Sequence, residues 1–429
     1  MAFRSPVPDY LDEIVESLAD DTNGAVADYI PELAQADPDR FAVALTTVDG
    51  RTYSAGDDDV EFSIQSISKP FAYAAALTDL GLDRVLDKVG VEPSGEAFNE
   101  LSLEGESHRP MNPMINAGAI TTHHLVGGPD CDPDERVQRV VRVFSALAGR
   151  ELRIDDAVCR SELETADRNL ALAHMLRSHG ILAGDAAQVV RGYTEQCSIL
   201  VTVRDLAVMG ATLAKGGVQP VTGDAVVEPW VARQVLGVMT ACGMYNGAGE
   251  WLTAVGIPAK SGVAGGILGA LPAQVGIGVF SPRLDRNGNS VRGLRTCRRL
   301  SADMGLHLME AEALGAGALR SVHPGTLPDV GEVLVYELQG IIQFRGAETV
   351  LRELEGASES GQPVVFDLAR VPGLNDVGRR MILEAMRRLL LADRRVFLVD
   401  PDGVLPDPDV GDGRRPEIVP SASSTDRSH

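Results

Sequence analysis

Hydrophobic positions near the start of the chain follow two different periods. Over residues 7–20 the apolar residues recur with helical spacing, which predicts an amphipathic helix. Phe41–Thr47 is a short, mostly apolar run, and a second run around Tyr53 follows it after Gly50. A glycine between two such runs indicates a strand, a turn and a second strand.

The middle of the chain is patterned as helices, and strands follow it. Ala- and Leu-rich stretches at 69–80 and 169–179 have helical spacing and are separated by loops that contain Gly and Pro. Residues 255–281 instead carry short Val, Ile and Leu runs interrupted by glycines and a proline, which is typical of neighbouring antiparallel strands. Strands therefore flank a helical middle, and we expect an α+β fold.

The pattern changes again towards the C-terminus. We predict a first domain over 1–312, a linker over 313–330 that is rich in Ala, Gly and Pro, and a small βα domain over 331–404. In the small domain the periodicity predicts strands at 333–338, 341–344, 364–368 and 396–399, and helices at 347–354 and 377–389. Residues 405–429 lose all periodicity, which predicts a disordered tail.

Composition and charge exclude several classes of partner. The chain has 429 residues, of which 44% are hydrophobic, enough for two or three domains. With 39 basic and 61 acidic residues the net charge is −22, and this field repels phosphate backbones and anionic lipids. We therefore expect neither nucleic acid nor a membrane as a partner.

Cysteine and histidine positions favour a reduced protein without metal. The five cysteines are scattered and form no C-x-x-C pair, which is typical of the cytosol. The eight histidines form no H-x-x-x-H motif and no cluster with cysteine, so we predict no metal and no cofactor. Neither a signal-peptide pattern nor an apolar stretch of about 18 residues is present, so a soluble, cytoplasmic protein is expected.

Lysine is rare in this sequence. Only Lys69, Lys88, Lys215 and Lys260 occur, against 35 arginines. Because arginine stays protonated whereas a buried lysine can lose its proton, each remaining lysine is a candidate for chemistry. Four lysines can also remain by chance, so their neighbours must decide.

The stretch Ser66-Ile67-Ser68-Lys69 is an S-x-x-K motif. On a helix, Ser66 and Lys69 lie one turn apart on one face. Burial and the positive end of a helix both disfavour the charged amine, so a neutral Lys69 is a candidate base for the serine proton. The motif is short, and an ordinary surface pair is the alternative.

A second motif, Lys260-Ser261-Gly262, matches the K-[ST]-G strand that accompanies S-x-x-K in penicillin-binding proteins and class A β-lactamases. The following residues, Val263–Gly266, allow close approach of the backbone, and an N–H group there would join that of Ser66 in an oxyanion hole. Gly265 and Gly266 serve equally well as plain turn residues. The two motifs together predict a serine enzyme that transfers acyl groups.

Polar residues elsewhere suit an amino-acid substrate. Tyr245 lies in a Gly-rich context and is a candidate proton relay, although a tyrosine buried in the core is the commoner case. A carboxylate such as Glu162 can bind an α-ammonium group, and amides such as Asn116 and Asn169 can bind an α-carboxylate. Helix caps and turns are the usual alternative for these residue types.

Taken together, these motifs resemble the serine-dependent glutaminases, a family with a β-lactamase-like fold. The resemblance covers about residues 8–312. It is carried in order by YIPELA at 29–34, FSIQSISKPF at 62–71, PMINAGA at 113–119, DRN at 167–169, YTEQCS at 193–198, GMY at 243–245, AKSGVAGG at 259–266 and GNSVRG at 288–293.

The resemblance implies hydrolysis of L-glutamine to L-glutamate and ammonia. Ser66 would take the γ-glutamyl group, and Lys69 and Tyr245 would share the proton transfers; which of the two accepts the first proton stays open. The implied substrate-binding residues are Tyr29, Ser66, Asn116, Glu162, Asn169, Tyr193, Tyr245 and Val263, the last through its backbone, with Lys260, Ser261 and Gly262 in support. Members of the family tend to form homo-oligomers, so a dimer or tetramer is expected.

The C-terminal part resembles STAS domains, the sulphate-transporter and anti-sigma-factor-antagonist modules. The resemblance rests on Val364–Leu368 and on Val371–Gly378. Regulatory members carry a phosphorylatable Ser or Thr just before the glycine that opens the helix, whereas this chain has Val377 there. A phosphorylation switch is therefore not expected; a regulatory partner or ligand, or a purely stabilising role, remains.

Two other functions fit parts of the sequence. A penicillin-binding protein or β-lactamase would share both motifs, but the chain has no S-D-N tripeptide and no export signal. A non-enzymatic regulatory protein acting through the STAS-like domain would have no use for Ser66 and Lys69.

Overall fold

The computed structural model describes residues 5–94, 103–310, 317–356, 361–411, 413–421 and 423–424. The chain forms two compact units. The N-terminal unit consists of Leu11–Ser301 and His307–Met309, and the C-terminal unit contains the described parts of Met1–Tyr10, Ala302–Leu306 and Glu310–His429.

The part of the chain up to residue 304 combines helices with a five-stranded antiparallel sheet and a separate pair of short strands. The helices are α1 (Val7–Leu18), α2 (Pro31–Ala34), α3 (Ser68–Leu80), α4 (Leu82–Leu86), α5 (Asn116–Leu125), α6 (Pro133–Ala148), α7 (Asp156–Glu164), α8 (Asp167–Ser178), α9 (Ala186–Cys197), α10 (Val203–Ala214), α11 (Pro229–Cys242), α12 (Ala248–Ala254) and α13 (Val291–Met304). The strands are β1 (Ala42–Thr47), β2 (Thr52–Gly56), β3 (Phe62–Ser63), β4 (Leu200–Val201), β5 (Ala259–Ser261), β6 (Gly266–Leu271) and β7 (Val275–Phe280). Short 3-10 helices cover Gln65–Ile67, Tyr245–Gly247 and Leu308–Glu310.

The sheet of the N-terminal unit has the strand order β2-β1-β7-β6-β5, with all neighbours antiparallel. Leu45 of β1 lies opposite Tyr53 on one side and Ile277 on the other. The strands expected at 41–47, around Tyr53 and within 255–281 are thus confirmed.

Helix α10 packs against this sheet at very short range. A methyl group added at Gly276 would lie 2.0 Å from the backbone nitrogen of Ala211, and one added at Gly278 would lie 2.2 Å from the carbonyl oxygen of Val203. Only glycine allows a helix to approach a strand this closely. A capping box between Thr202 and Asp205 fixes the start of the helix.

Helix α3 is buried on all sides over its first three turns. Every residue from Ser68 to Leu77 is buried, and α5, α6 and α11 pack around it. A helix enclosed in this way needs no polar face, which explains its run of alanines. Its first turn therefore lies inside the protein, away from solvent.

The C-terminal unit is a small βα structure. Its elements are β8 (Leu319–Leu327), β9 (Gly331–Gln339), α14 (Phe344–Gly356), β10 (Val364–Arg370), α15 (Asp376–Leu391), β11 (Val396–Val399), β12 (Glu417–Ile418) and β13 (Ser423–Ser424). The sheet order is β12-β11-β10-β9-β8-β13, in which β9 to β12 are parallel and β8 pairs antiparallel with β9 and β13. Helices α14 and α15 each connect parallel strands, as βαβ units require.

Three predictions for the C-terminal region are wrong. The strand expected at 341–344 is absent: Ile342 makes an isolated bridge to Leu374, and α14 already begins at Phe344. Strand β8 lies inside the stretch 313–330 that was expected to be a linker. Exposed and less exposed residues alternate along β8, as in a strand with one face towards solvent. Its Pro and Gly residues, which are unusual in strands, hide this pattern in the sequence.

The third correction concerns the tail. Within 405–429, strands β12 and β13 pair with the edges of the sheet, so disorder is wrong for these residues. Backbone pairing needs no apolar periodicity, which is why the sequence gives no sign of it. Residues 313–316 and 425–429 of the predicted linker and tail lie outside the described residues. The α+β class itself is confirmed by the antiparallel sheet with its helices and by the βα unit.

The described residues also bear on membranes and metals. No helix among them is long and apolar enough to span a bilayer. Nor do they contain a group of three or more His, Cys, Asp or Glu side chains arranged to hold a metal ion. The five cysteines are free thiols.

Candidate active site

A cavity of about 370 Å³ in the N-terminal unit brings together residues from distant parts of the chain. Its predicted lining residues are Tyr29, Ser66, Asn116, Glu162, Asn169, Tyr193 and Val263. Ala27, Gln65, Thr165, Ala166, Arg168, Thr194 and Cys197 complete the wall. Lys69 and Tyr245 reach the same place through hydrogen bonds to lining residues.

Ser66 lies on the floor of the cavity. It belongs to the 3-10 helix Gln65–Ile67, which leads directly into α3, and it is 9% exposed. Gln65 has a φ of 51°, a conformation that non-glycine residues rarely adopt and that often marks functional sites. The backbone N–H groups of a first helical turn have no partner within the helix, so the N–H of Ser66 is available to a ligand.

Lys69 occupies the first turn of α3 and is completely buried. Its Nζ donates to Asn116 Oδ1 at 2.7 Å and to the carbonyl oxygen of Met114 at 3.2 Å. Burial lowers the pKa of the lysine to about 8, against a smaller opposing effect of Cys197. About a fifth of this amine is therefore neutral at about pH 7.4, and the neutral form is the one that a general base needs.

Tyr245 opens the 3-10 helix Tyr245–Gly247 with a φ of 52°. Its hydroxyl donates to the carbonyl oxygen of Ser261 at 3.1 Å and is hydrogen-bonded to Ser66. Burial raises the pKa of the phenol to about 12, so it stays protonated and can give a proton to a leaving group.

The K-S-G strand supports Tyr245 from one side. Lys260 is fully buried; its Nζ donates to the carbonyl oxygen of Ser261 at 2.8 Å and lies 3.8 Å from the centroid of the Tyr245 ring. Burial and the nearby Lys69 lower the pKa of Lys260 well below its ordinary value. Ser261 Oγ donates to Asn289 Oδ1 at 2.6 Å, which anchors the strand.

Two glycines allow the segments to meet. A methyl group at Gly243 would lie 1.8 Å from the carbonyl oxygen of Ala259, so only glycine brings the segment before Tyr245 against β5. A methyl group at Gly262 would lie 3.1 Å from the carbonyl oxygen of Ile64, which keeps the turn after β5 close to Ser66. Backbone contact, rather than side-chain chemistry, accounts for both glycines.

Glu162 contributes a carboxylate to the cavity wall. Its Oε1 accepts from the hydroxyl of Tyr29 at 2.8 Å and from Gln65 Nε2 at 3.0 Å. Both donors use Oε1. Burial raises the pKa of Glu162, although the two hydrogen bonds oppose this shift. Tyr29 remains 45% exposed and forms part of the rim.

Amides and one guanidinium complete the polar lining. Asn116 lies between Lys69 and Asn169, because its Nδ2 donates to Asn169 Oδ1 at 3.1 Å while its Oδ1 accepts from the lysine. Arg168, from the same turn of α8 as Asn169, also lines the cavity. The cavity therefore presents a carboxylate, amides and a cation, the groups that a zwitterion requires.

The sequence analysis assigned no role to seven of the residues found in the cavity, among them Gln65, Arg168 and Cys197. Gln65 and Arg168 lie within strings that carry the family resemblance. Each directly precedes a predicted site residue, Ser66 and Asn169, and this adjacency could have identified them from the sequence. Cys197 also lies within such a string, at 193–198, where it follows Tyr193; burial raises its pKa to about 11, so it remains a protonated thiol.

Comparison with known proteins matches both parts of the chain. The glutaminase family model matches residues 24–309, and the STAS domain model matches residues 326–407. A glutaminase of Corynebacterium efficiens is 53% identical over 384 residues, 90% of each chain, and a glutaminase of Corynebacterium glutamicum is 53% identical over 90% of this chain and 92% of its own.

Solved structures of similar proteins agree. The crystal structure of a protein called Mglu in its glutamate form is 51% identical and superposes with a TM-score of 0.72, covering 94% of this chain and all of that one. A probable glutaminase from Bacillus subtilis, complexed with 6-diazo-5-oxo-L-norleucine, is 34% identical with a TM-score of 0.64, over 70% of this chain and 95% of its own.

Proposed function

The chain belongs to the glutaminase family and is an enzyme that hydrolyses glutamine, with a C-terminal STAS domain, and from this premise we propose how its residues carry out the reaction. Ser66 is the nucleophile, Lys69 its general base, and Tyr245 the group that protonates ammonia as it leaves. The observation that carries this proposal is the meeting of Ser66, Lys69 and Tyr245 at one buried cavity.

In the first half of the reaction, Ser66 Oγ attacks the γ-carbonyl carbon of glutamine. The serine proton passes to the neutral amine of Lys69, whose pKa of about 8 suits it to accept a proton near neutral pH. The carbonyl oxygen becomes an oxyanion, which the backbone N–H groups of Ser66 and Val263 stabilise. When the C–N bond breaks, Tyr245 gives the nitrogen a proton and regains one from Lys69.

In the second half, water hydrolyses the γ-glutamyl ester. Lys69, neutral again, takes a proton from the attacking water and returns it to the serine oxygen as the C–O bond to Ser66 breaks. L-Glutamate leaves, and the enzyme returns to its starting state. No cofactor enters either half of this scheme.

The two ends of the cavity hold the two charges of the substrate. Glu162, with Tyr29 beside it, binds the α-ammonium group through its free carboxylate oxygen. Asn116, Asn169 and the guanidinium of Arg168 suit the α-carboxylate. Tyr193 also belongs to the cavity wall and is buried.

Ammonia release across three γ- or β-amide compounds tests the substrate assignment. We expect rapid release from L-glutamine and at least about tenfold slower release from L-asparagine, because one missing methylene moves the amide away from Ser66. Glutathione should give none, since its γ-glutamyl bond joins a peptide rather than ammonia. Equal rates with asparagine would contradict a cavity built for the longer side chain, and fast hydrolysis of a chromogenic cephalosporin would favour the β-lactamase alternative.

The pH dependence follows from the pKa of Lys69. Because the base acts only when neutral and its pKa is about 8, kcat/KM should rise with pH and level off above about 8. Two pH units lower, only about 1% of the amine is neutral, so kcat/KM at pH 6 should be about 100-fold below the plateau. A profile that is flat between these two pH values would rule out Lys69 as the base.

Assembly and location remain expectations that other observations support. We propose a homo-oligomer, a dimer or tetramer, on the family resemblance, and a cytoplasmic location because the five cysteines are free thiols. The catalytic domain is proposed to end near residue 312, and the STAS domain to bind a regulatory partner or ligand. With Val377 just before Gly378 on α15, that regulation does not use a phosphorylated hydroxyl at this position.

A further inference from the structure

A second carboxylate lies behind Glu162. Glu32 is on α2, three residues after Tyr29, and Ser161 Oγ donates to its Oε1 at 3.0 Å. The other oxygen of Glu32, Oε2, is buried and has no hydrogen-bond partner among the described residues. Since Ser161 immediately precedes Glu162 on α7, this hydrogen bond ties the two carboxylates to adjacent positions.

This arrangement is costly for the fold. A buried carboxylate oxygen without a donor forfeits hydration and gains nothing in return, and native proteins keep such groups where they serve a function. Two carboxylates close together also repel each other. Burial is the largest influence that raises the pKa of Glu162, its two hydrogen bonds lower it, and the charge of Glu32 raises it further. Glutamine at position 32 would remove the repulsion between the two charges.

The location of Glu32 suggests what it does. Tyr29 and Glu32 belong to one short segment, and both face α7: the phenol of Tyr29 donates to Glu162, and the carboxylate of Glu32 accepts from Ser161. Glu32 is absent from the cavity wall, so it does not touch a substrate. Its influence on the cavity is therefore electrostatic and passes through Glu162.

We propose that Glu32 is a positioning residue for substrate selection, whose negative charge strengthens the preference of the cavity for compounds with a free α-ammonium group. Held behind Glu162 by Ser161, it adds a second negative charge at the ammonium end. In the proposed binding mode Arg168, Asn116 and Asn169 take the α-carboxylate, so a second negative charge near Glu162 strengthens the attraction for the ammonium group alone. The inference rests on the proposed binding of the α-ammonium group by Glu162.

Glu32→Gln tests this proposal because the amide keeps the shape and can still accept from Ser161. At pH 8 we expect KM for glutamine to rise about fivefold with kcat unchanged, as the loss of one partly screened charge several ångströms away predicts. Ser161→Ala is the matched control: it removes the hydrogen bond but keeps the charge. A purely structural role for Glu32 would make both variants behave alike.

Glutaramate, which is glutamine without the α-amino group, separates charge from shape. Its Ki as a competitor reports binding whether or not it is hydrolysed. Glu32→Gln should leave this Ki unchanged or lower it, so the ratio of the glutaramate Ki to the glutamine KM falls about fivefold. A ratio equal to that of the unsubstituted enzyme would overturn the proposal.

The pH dependence of the same ratio gives a second readout. The protonation of Lys69 affects glutamine and glutaramate alike, so it cancels in the ratio of the glutaramate Ki to the glutamine KM. The pH dependence of this ratio therefore reports the ionisation of Glu162. Removing the charge of Glu32 should let Glu162 stay ionised to lower pH, which moves the acid-side midpoint of the ratio downwards. An unmoved midpoint in an active enzyme overturns only this inference. An enzyme whose discrimination between the two compounds does not depend on Glu162 would instead overturn the proposed binding mode.

Discussion

Replacing Ser66 with alanine should lower kcat by about 10³-fold or more while the protein keeps its fold. The serine oxygen forms the covalent bond to the γ-glutamyl group, and without it only water positioned by the remaining groups can react. KM should change far less, because Tyr29, Asn116 and Glu162 still line the cavity. The measurement is ammonia release under saturating glutamine, together with thermal unfolding of the variant.

Ser68→Ala is the matched control for this experiment. Ser68 is two residues further along, is buried, and accepts a hydrogen bond from Gln196 Nε2 at 3.0 Å. Its loss should cost about 1 kcal/mol of stability because the Gln196 amide loses a partner, yet kcat should stay within a few-fold. Substantial activity in Ser66→Ala would refute the role of the serine and would leave the S-x-x-K motif without an explanation.

Lys69→Arg should be almost as inactive, with kcat at least about 10²-fold lower. Arginine cannot release its proton at working pH, so the cationic charge is kept while the base is lost. The amine of Lys69 is fully buried and fits between Asn116 and the carbonyl of Met114, so the larger guanidinium must also displace one of them. The loss should persist at every pH, whereas the unsubstituted enzyme gains activity as the pH rises.

Two comparisons keep this result interpretable. Lys88→Arg makes the same chemical change at a part-exposed lysine whose Nζ donates to the carbonyl of Gly180, and it should leave kcat unchanged. Lys69→Met removes the base without adding bulk; if it folds and is equally inactive, the effect of arginine is chemical. If Lys69→Met keeps its activity, Lys69 is not the base and Tyr245 takes that role.

The sequence predicts that Ser66 and Lys69 lie together because the signal is local. Ser66 and Lys69 are three residues apart, so a helical turn alone puts them on one face, and the structure places both at the start of α3. Helical spacing predicts α15, and a short apolar run predicts β11, for the same reason: the signal lies within a few neighbouring residues.

Other features depend on tertiary contacts and leave little local signal. Tyr245 reaches Ser66 only because Gly243 permits close packing on Ala259, and no periodicity encodes that contact. Glu32 is part of the family string, yet its partnership with Ser161 connects residues 129 positions apart. The pairs made by β12 and β13 follow from edges already present in the sheet, which the segments themselves do not specify.

The uneven use of the two basic amino acids has a practical consequence. Lys69 and Lys260 are sealed inside the N-terminal unit, while Lys88 is part-exposed and Lys215 is exposed. Reagents that acylate primary amines in water attack neutral, accessible side chains and leave guanidinium groups untouched. Attachment to a resin or a dye through lysine would therefore use Lys88 and Lys215 and spare Lys69 and Lys260.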